Sequence, residues 1–156
     1  MMVQRRAVSV QETARPVDAM GMQDLAAPHV DAIRSVIARA RTLGEPAAVF
    51  MLALEDVAPA DAQAMLRASL RGSDTVADLG HGVFCVVLCR ISRLPAASVA
   101  ERLEHRIVDL CGGADGSRVG MSLIAPWERR GEDAVLRAAH ADLRARRLAG
   151  AEPVAA

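Results

Sequence analysis

The sequence predicts an α+β domain: a mainly antiparallel central sheet with a β-α-β-β-α-β core and flanking helices. Three observations predict it. Ala47 to Leu54 (AAVFMLAL) and Val83 to Cys89 (VFCVVLC) are apolar runs too short for capped, buried helices, so they read as central strands. Gly80-His81-Gly82 sets two glycines around one residue just before the second run, which permits the positive φ of a tight hairpin. The segments between the runs carry apolar residues at helical spacing.

In chain order, Met1 to Ala27 mixes Gln, Arg, Thr, Pro, Met and Gly without a period and reads as a flexible arm (1–27), ahead of a domain at 28–150. Pro28 to Leu43 repeats Val30, Ile33, Ile37 and Ala40 at helical spacing, and Gly44 stops that helix. After the first strand, Pro59 opens a helix whose inner stripe is Ala62, Met65, Leu66 and Ser69, with Asp61 favouring the N-terminal dipole. A turn at Arg71-Gly72-Ser73-Asp74 leads into a short strand ending at Leu79, then the hairpin and the second apolar run. Pro95 begins a helix with Val99, Leu103, Ile107 and Leu110 inward and Glu101, Arg102, Glu104 and Arg106 outward. Cys111 to Gly116 is loop, Arg118 to Ala125 a strand, and Glu132 to Leu148 a helix with Val135, Leu136, Ala139 and Leu143 inward; 151–156 is a frayed tail. Right-handed crossovers place the first strand centrally beside the third, and the split unit is expected to keep its helices on one face.

A chain of 156 residues, 52% of them apolar, can fill one core. Its formal net charge of zero gives no reason to expect nucleic-acid binding. Every basic residue is Arg, so any anion site uses planar guanidinium groups. Cys85, Cys89 and Cys111 fit no zinc spacing, and the first two share one face of a strand, too far apart to bridge; thiols in a reducing compartment are expected. With no apolar signal core and no membrane-length apolar run, the expectation is a cytoplasmic protein without membrane contact.

The stretch Leu66 to Leu88, LRASLRGSDTVADLGHGVFCVVL, resembles the signature segment of GGDEF domains, the diguanylate cyclases that make cyclic di-GMP from GTP. That family reads Gly-Gly-Asp-Glu-Phe at the hairpin where this chain has Gly80-His81-Gly82-Val83-Phe84, with an Arg-x-x-Asp upstream and a buried strand after. Its late strand, Val-Ser-Ile-Gly-Val-Ala, is similar to Gly120 to Ala125, and its closing Ala-Asp-x-Ala-Leu-Tyr-x-Ala-Lys-x-x-Gly is similar to Ala139 to Gly150. The likeness covers Ile33 to Gly150 and implies the nucleotidyl cyclase palm, a ferredoxin-like arrangement.

The departures bear on function. A cyclase holds two metal ions with carboxylates, because hard Mg²⁺ takes oxygen ligands. Gly82 and Val83 replace the hairpin's acidic pair, and the family's first-strand carboxylate falls on Ala53. Glu55 and Asp56 nearby read either as a displaced metal ligand or as ordinary strand-end charges. The family's Phe-Lys-x-x-Asn-Asp and Gly-His-x-x-Gly-Asp segment has no room here, because Glu55-Asp56-Val57 passes almost at once into Pro59; Asp78 stands where the family has Arg. The resemblance therefore implies a degenerate domain with no catalytic residues, no metal and no cofactor.

Arg71-Gly72-Ser73-Asp74 matches the family's Arg-x-x-Asp inhibitory site, which binds cyclic di-GMP, and Arg102 falls where a further arginine completes that pocket. A guanidinium fork grips guanine's Hoogsteen edge or a phosphate, each bidentate pair giving roughly 1–3 kcal/mol of discrimination. Asp74 can accept from guanine N–H groups. The same residues also read as turn chemistry and a solvated helix charge. Trp127 reads as a cap on the sheet or as a contact anchor, His81 as an exposed turn residue, and His29 and His105 as solvent-facing. The resemblance implies a non-enzymatic cyclic di-GMP receptor acting on an unidentified protein partner, with a possible ligand-linked homodimer. A ligand-independent adaptor is the alternative.

Overall fold

The structure, a computed structural model, describes residue 25, residues 27–112 and residues 117–151. The expected arm lies outside these apart from its last residues: Leu25 packs into the core and Ala27 already opens a helix. Residues 152–156 of the expected tail also lie outside.

Among the described residues eight elements follow in order: α1 (Ala27–Leu43), β1 (Ala47–Ala53), α2 (Pro59–Ser69), β2 (Thr75–Asp78), β3 (Val83–Cys89), α3 (Arg93–Cys111), β4 (Val119–Ile124) and α4 (Glu132–Ala151). The strands form one sheet in the order β2-β3-β1-β4, each neighbouring pair antiparallel. This is the split βαβ arrangement, with β3 inserted between the two strands that α2 connects. The registers Ala53↔Val83 and Ala47↔Cys89 place the β2–β3 hairpin at the C-terminal end of β1.

Helices cover both faces of the sheet, not one. Val49, Met51, Val83, Cys85 and Val87 pack against Ile33 and Ile37 of α1 and Leu136, Ala139 and Leu143 of α4. Phe50, Leu52, Phe84, Val86 and Leu88 pack against Ala62 and Leu66 of α2 and Leu103 and Ile107 of α3. The core βαββαβ unit brings only α2 and α3, to one face. The helices before and after that unit cover the other, which is why alternate residues of β1 and β3 are all apolar. At β4 the approach is close: a Cβ on Gly120 would stand 2.3 Å from the Leu143 nitrogen and 2.4 Å from the Ala139 oxygen.

Two further expectations change. Leu110 lies 41% exposed near the end of α3, and Trp127 is 78% exposed in the β4–α4 loop, where it caps nothing. Among the described residues no helix is long and apolar enough to cross a membrane.

Candidate functional site

Two regions at opposite ends of the sheet gather the residues that carry chemistry. They are separated by the length of β3, roughly 20 Å at strand rise.

At the hairpin end, Gly80, His81 and Gly82 all have positive φ (87, 55 and 77°). Val83 N–H donates to the Gly80 carbonyl at 3.0 Å, and the Asp78 carboxylate accepts from Gly80 N–H at 2.9 Å. His29, though exposed, hydrogen-bonds the Asp78 carbonyl. Leu54 N–H donates to the Gly82 carbonyl at 2.7 Å, so the hairpin lies on the end of β1. A Cβ at Gly82 would fall 2.3 Å from Glu55 Cα, which only glycine avoids.

Glu55 and Asp56 follow at once, and two buried arginines hold them. Arg118 forks onto Asp56 with Nη1–Oδ1 at 2.8 Å and Nη2–Oδ2 at 3.0 Å, and its Nη1 also donates to the Ala53 carbonyl at 3.3 Å. Arg147 from α4 reaches Glu55 Oε1 at 3.2 Å. The Arg118 hydrogen bond is the main reason the Asp56 carboxyl lies below its ordinary range, and the same bond raises Arg118. A carboxylate forked by a guanidinium has its charge compensated and two of its lone pairs occupied. Among the described residues no group of three or more His, Cys, Asp or Glu side chains is placed to hold an ion. Glu55 and Asp56 are therefore not free strand-end charges: each is paired with an arginine.

At the other end, α2 stops at Ser69 and the chain turns into β2. The Asp74 carboxylate is buried and accepts from Arg71 N–H at 2.9 Å, from Arg71 Nη2 at 3.2 Å and from Nε at 3.5 Å. Arg71 Nη2 also donates to the Cys89 carbonyl at 3.1 Å, tying the turn to the end of β3. Arg102, across from α3, donates to the Ser69 carbonyl at 3.3 Å. The three residues picked from the sequence thus meet at the C-terminal end of α2. Their roles differ from the expectation at one point: Asp74 spends its oxygens on Arg71, so in this conformation it positions the guanidinium and presents no open acceptor. Arg71 keeps Nη1 and a side chain 57% exposed. A cavity of about 270 Å³ lies beside this turn, lined by Ser73, Thr75 and Cys89.

Arg118 and Glu104 were not singled out from the sequence. Glu104 on α3, expected outward, accepts from the backbone N–H groups of Arg118 and Val119, both at 2.9 Å. No local signal marks either residue. Arg147 stood at the position of the family's closing-helix lysine, which was its one available sign.

No protein-family model matches the chain. No curated protein matches it either. Its fold, however, is that of GGDEF domains, the diguanylate cyclase fold. It is similar to the GGDEF domain of DgcB from Caulobacter crescentus, solved in complex with c-di-GMP, with a TM-score of 0.59 at 16% identity over 77% of this chain and 82% of that one. The FimX GGDEF domain from Pseudomonas aeruginosa matches with a TM-score of 0.58 at 13% identity, over 79% and 88% of the two chains. Diguanylate cyclase SiaD from Pseudomonas aeruginosa, solved with its activator SiaC, matches with a TM-score of 0.61 at 18% identity, over 96% of this chain and 64% of that one.

Proposed function

We propose that this domain is a non-catalytic GGDEF-fold receptor that binds cyclic di-GMP through Arg71 and Arg102, with Asp74 holding Arg71 in place, and signals to a protein partner. One observation carries the reading: a buried carboxylate orients a half-exposed guanidinium beside a second arginine, at the end of the sheet away from the hairpin. The Nη1 group that Arg71 keeps is held in place to donate to a guanine acceptor or a phosphate. The c-di-GMP complex of the DgcB domain and the activator complex of SiaD lend the ligand and the partner a precedent on this fold.

The absence of catalysis rests on the other end. Glu55 and Asp56 are engaged by Arg147 and Arg118, and Gly82 and Val83 offer no carboxylate. Incubation with GTP and Mg²⁺ should give no cyclic di-GMP, and accumulation of product would reject this half of the reading. Titration calorimetry of the full chain with cyclic di-GMP should give saturable heat, lost in Arg71→Ala and Arg102→Ala. No heat for the parent, or unchanged affinity in both variants, would reject the other half.

A second reading, an adaptor that needs no ligand, is favoured by the backbone carbonyls that Arg71 and Arg102 already satisfy and by the exposed Trp127. It predicts that Arg71→Ala leaves partner capture unchanged.

A further inference from the structure

The sheet has two edges, and β4 forms one of them. Ala53 N–H donates to the Arg118 carbonyl at 3.0 Å, which fixes the alternation along the strand: Gly120, Ser122 and Ile124 exchange bonds with β1, while Val119, Met121 and Leu123 turn their backbone groups outward. An open edge of this kind is a template for another strand.

Here four of the six outward groups are taken by side chains. Glu104 accepts from Val119 N–H at 2.9 Å, and Ser117 Oγ donates to the Val119 carbonyl at 3.4 Å. Asp142 Oδ2 accepts from Met121 N–H at 2.8 Å and is itself held by Arg146 Nε at 2.8 Å. Arg130 Nη2 donates to the Leu123 carbonyl at 2.6 Å, and Glu128 steadies that guanidinium at 2.8 Å. Three different elements, α3, α4 and the β4–α4 loop, therefore each send a charged side chain to the same strand edge. A cavity of about 320 Å³ runs beside Val119 and Met121, between Ala97 and Ala100 of α3 and Arg146 of α4.

We infer that Glu104, Asp142 and Arg130 form a guard that closes the β4 edge against pairing with a second copy of this chain. Two copies meeting at β4 would be related by a two-fold axis, so the edge is complementary to itself once the guard is removed. Any ligand-linked contact between copies must then use a different surface. The inference stands apart from the proposed ligand site at the other end of the sheet.

The test is the state of association of the full chain without ligand. Sedimentation velocity of the double variant Glu104→Ala/Asp142→Ala should show a concentration-dependent species of twice the parent's mass, absent from the parent. Adding Leu123→Pro should abolish it, because the Leu123 N–H faces away from β1 and proline there removes an edge donor without touching the ladder. A double variant that sediments as the parent, or a dimer that survives Leu123→Pro, overturns the inference. Asp142→Ala alone keeps Glu104 in place and covers the case in which the double variant does not fold. Its Met121 amide should exchange about tenfold faster in dilute solution and regain protection as concentration rises; an amide that exchanges as in the parent, or is never re-protected, also overturns it.

Discussion

At the hairpin end of the sheet Arg118 is 4% exposed and Arg147 3%, each bound to a carboxylate at a strand terminus. At the α2 end the order is reversed: the carboxylate of Asp74 is 3% exposed and the guanidinium of Arg71 is 57% exposed. The same ion pair therefore has opposite outcomes. Burying the arginines cancels the charge that could hold a metal and leaves no donor pointing outward. Burying the carboxylate fixes the arginine while its outer edge still faces water. The contrast teaches that which partner is desolvated decides whether an Arg–carboxylate pair closes a site or prepares one.

The comparison can be broken or sharpened by substitution. The largest effect is expected at Gly82. An alanine there adds left-handed strain of about 1–2 kcal/mol to overpacking of about 1–3 kcal/mol against Glu55, whereas Gly80→Ala, with open space around it, should cost only the strain. Denaturant unfolding that finds the two variants equal would mean that the hairpin is not clamped on β1.

Next is Arg118→Met, which leaves Asp56 without its guanidinium while Glu55 keeps Arg147. Since Asp56 is 48% exposed, the loss should sit near the lower end for a broken buried pair, about 3 kcal/mol. This variant should also flatten the acid limb of stability. Asp56 is held below its ordinary 3.8, so its contribution is complete above that value and is lost as pH falls through the lowered folded value. Glu128, lowered by Arg130 from 4.5 to about 2, should keep its own acid limb in the variant. Thermal unfolding against pH for parent and variant separates the two; an unchanged limb in Arg118→Met would count against the sealed end.

Asp74→Ala removes charge-assisted bonds to Arg71 and should cost about 2 kcal/mol of stability, and with it the affinity for cyclic di-GMP, although Asp74 itself faces no ligand. Retained affinity would show that Arg71 needs no positioning. Arg71→Ala comes last, at about 1–2 kcal/mol, because the buried Asp74 carboxylate loses its guanidinium but keeps the backbone N–H of residue 71. Its calorimetric heat should nonetheless vanish, which is the sharpest statement of an open end.

Much of this fold was legible beforehand. The runs at Val49 to Leu52 and Val83 to Leu88 could only be central strands, and Gly80 and Gly82 could only be a turn, because apolar continuity and positive φ are local properties. Arg71 and Asp74 were legible as members of one turn, but not that Asp74 would be spent on Arg71. The Arg118–Asp56 and Arg147–Glu55 pairs were not, since 62 and 92 residues separate their members and nothing near either residue marks it. Trp127 was misplaced for a related reason: an aromatic side chain beside a proline says nothing about what lies across from it.

What the sequence determined by itself was the alternation of strands and helices, the central place of β1 and β3, and a hairpin from Gly80 to Phe84 with no acidic residue, all consequences of residue type and spacing along the chain. Only the tertiary structure decided that α1 and α4 cover the second face, that two arginines neutralise the end of β1, and that side chains from three elements close β4. Those outcomes depend on which distant groups share a desolvated volume, and a charge buried there is stable only with the partner that the fold brings to it.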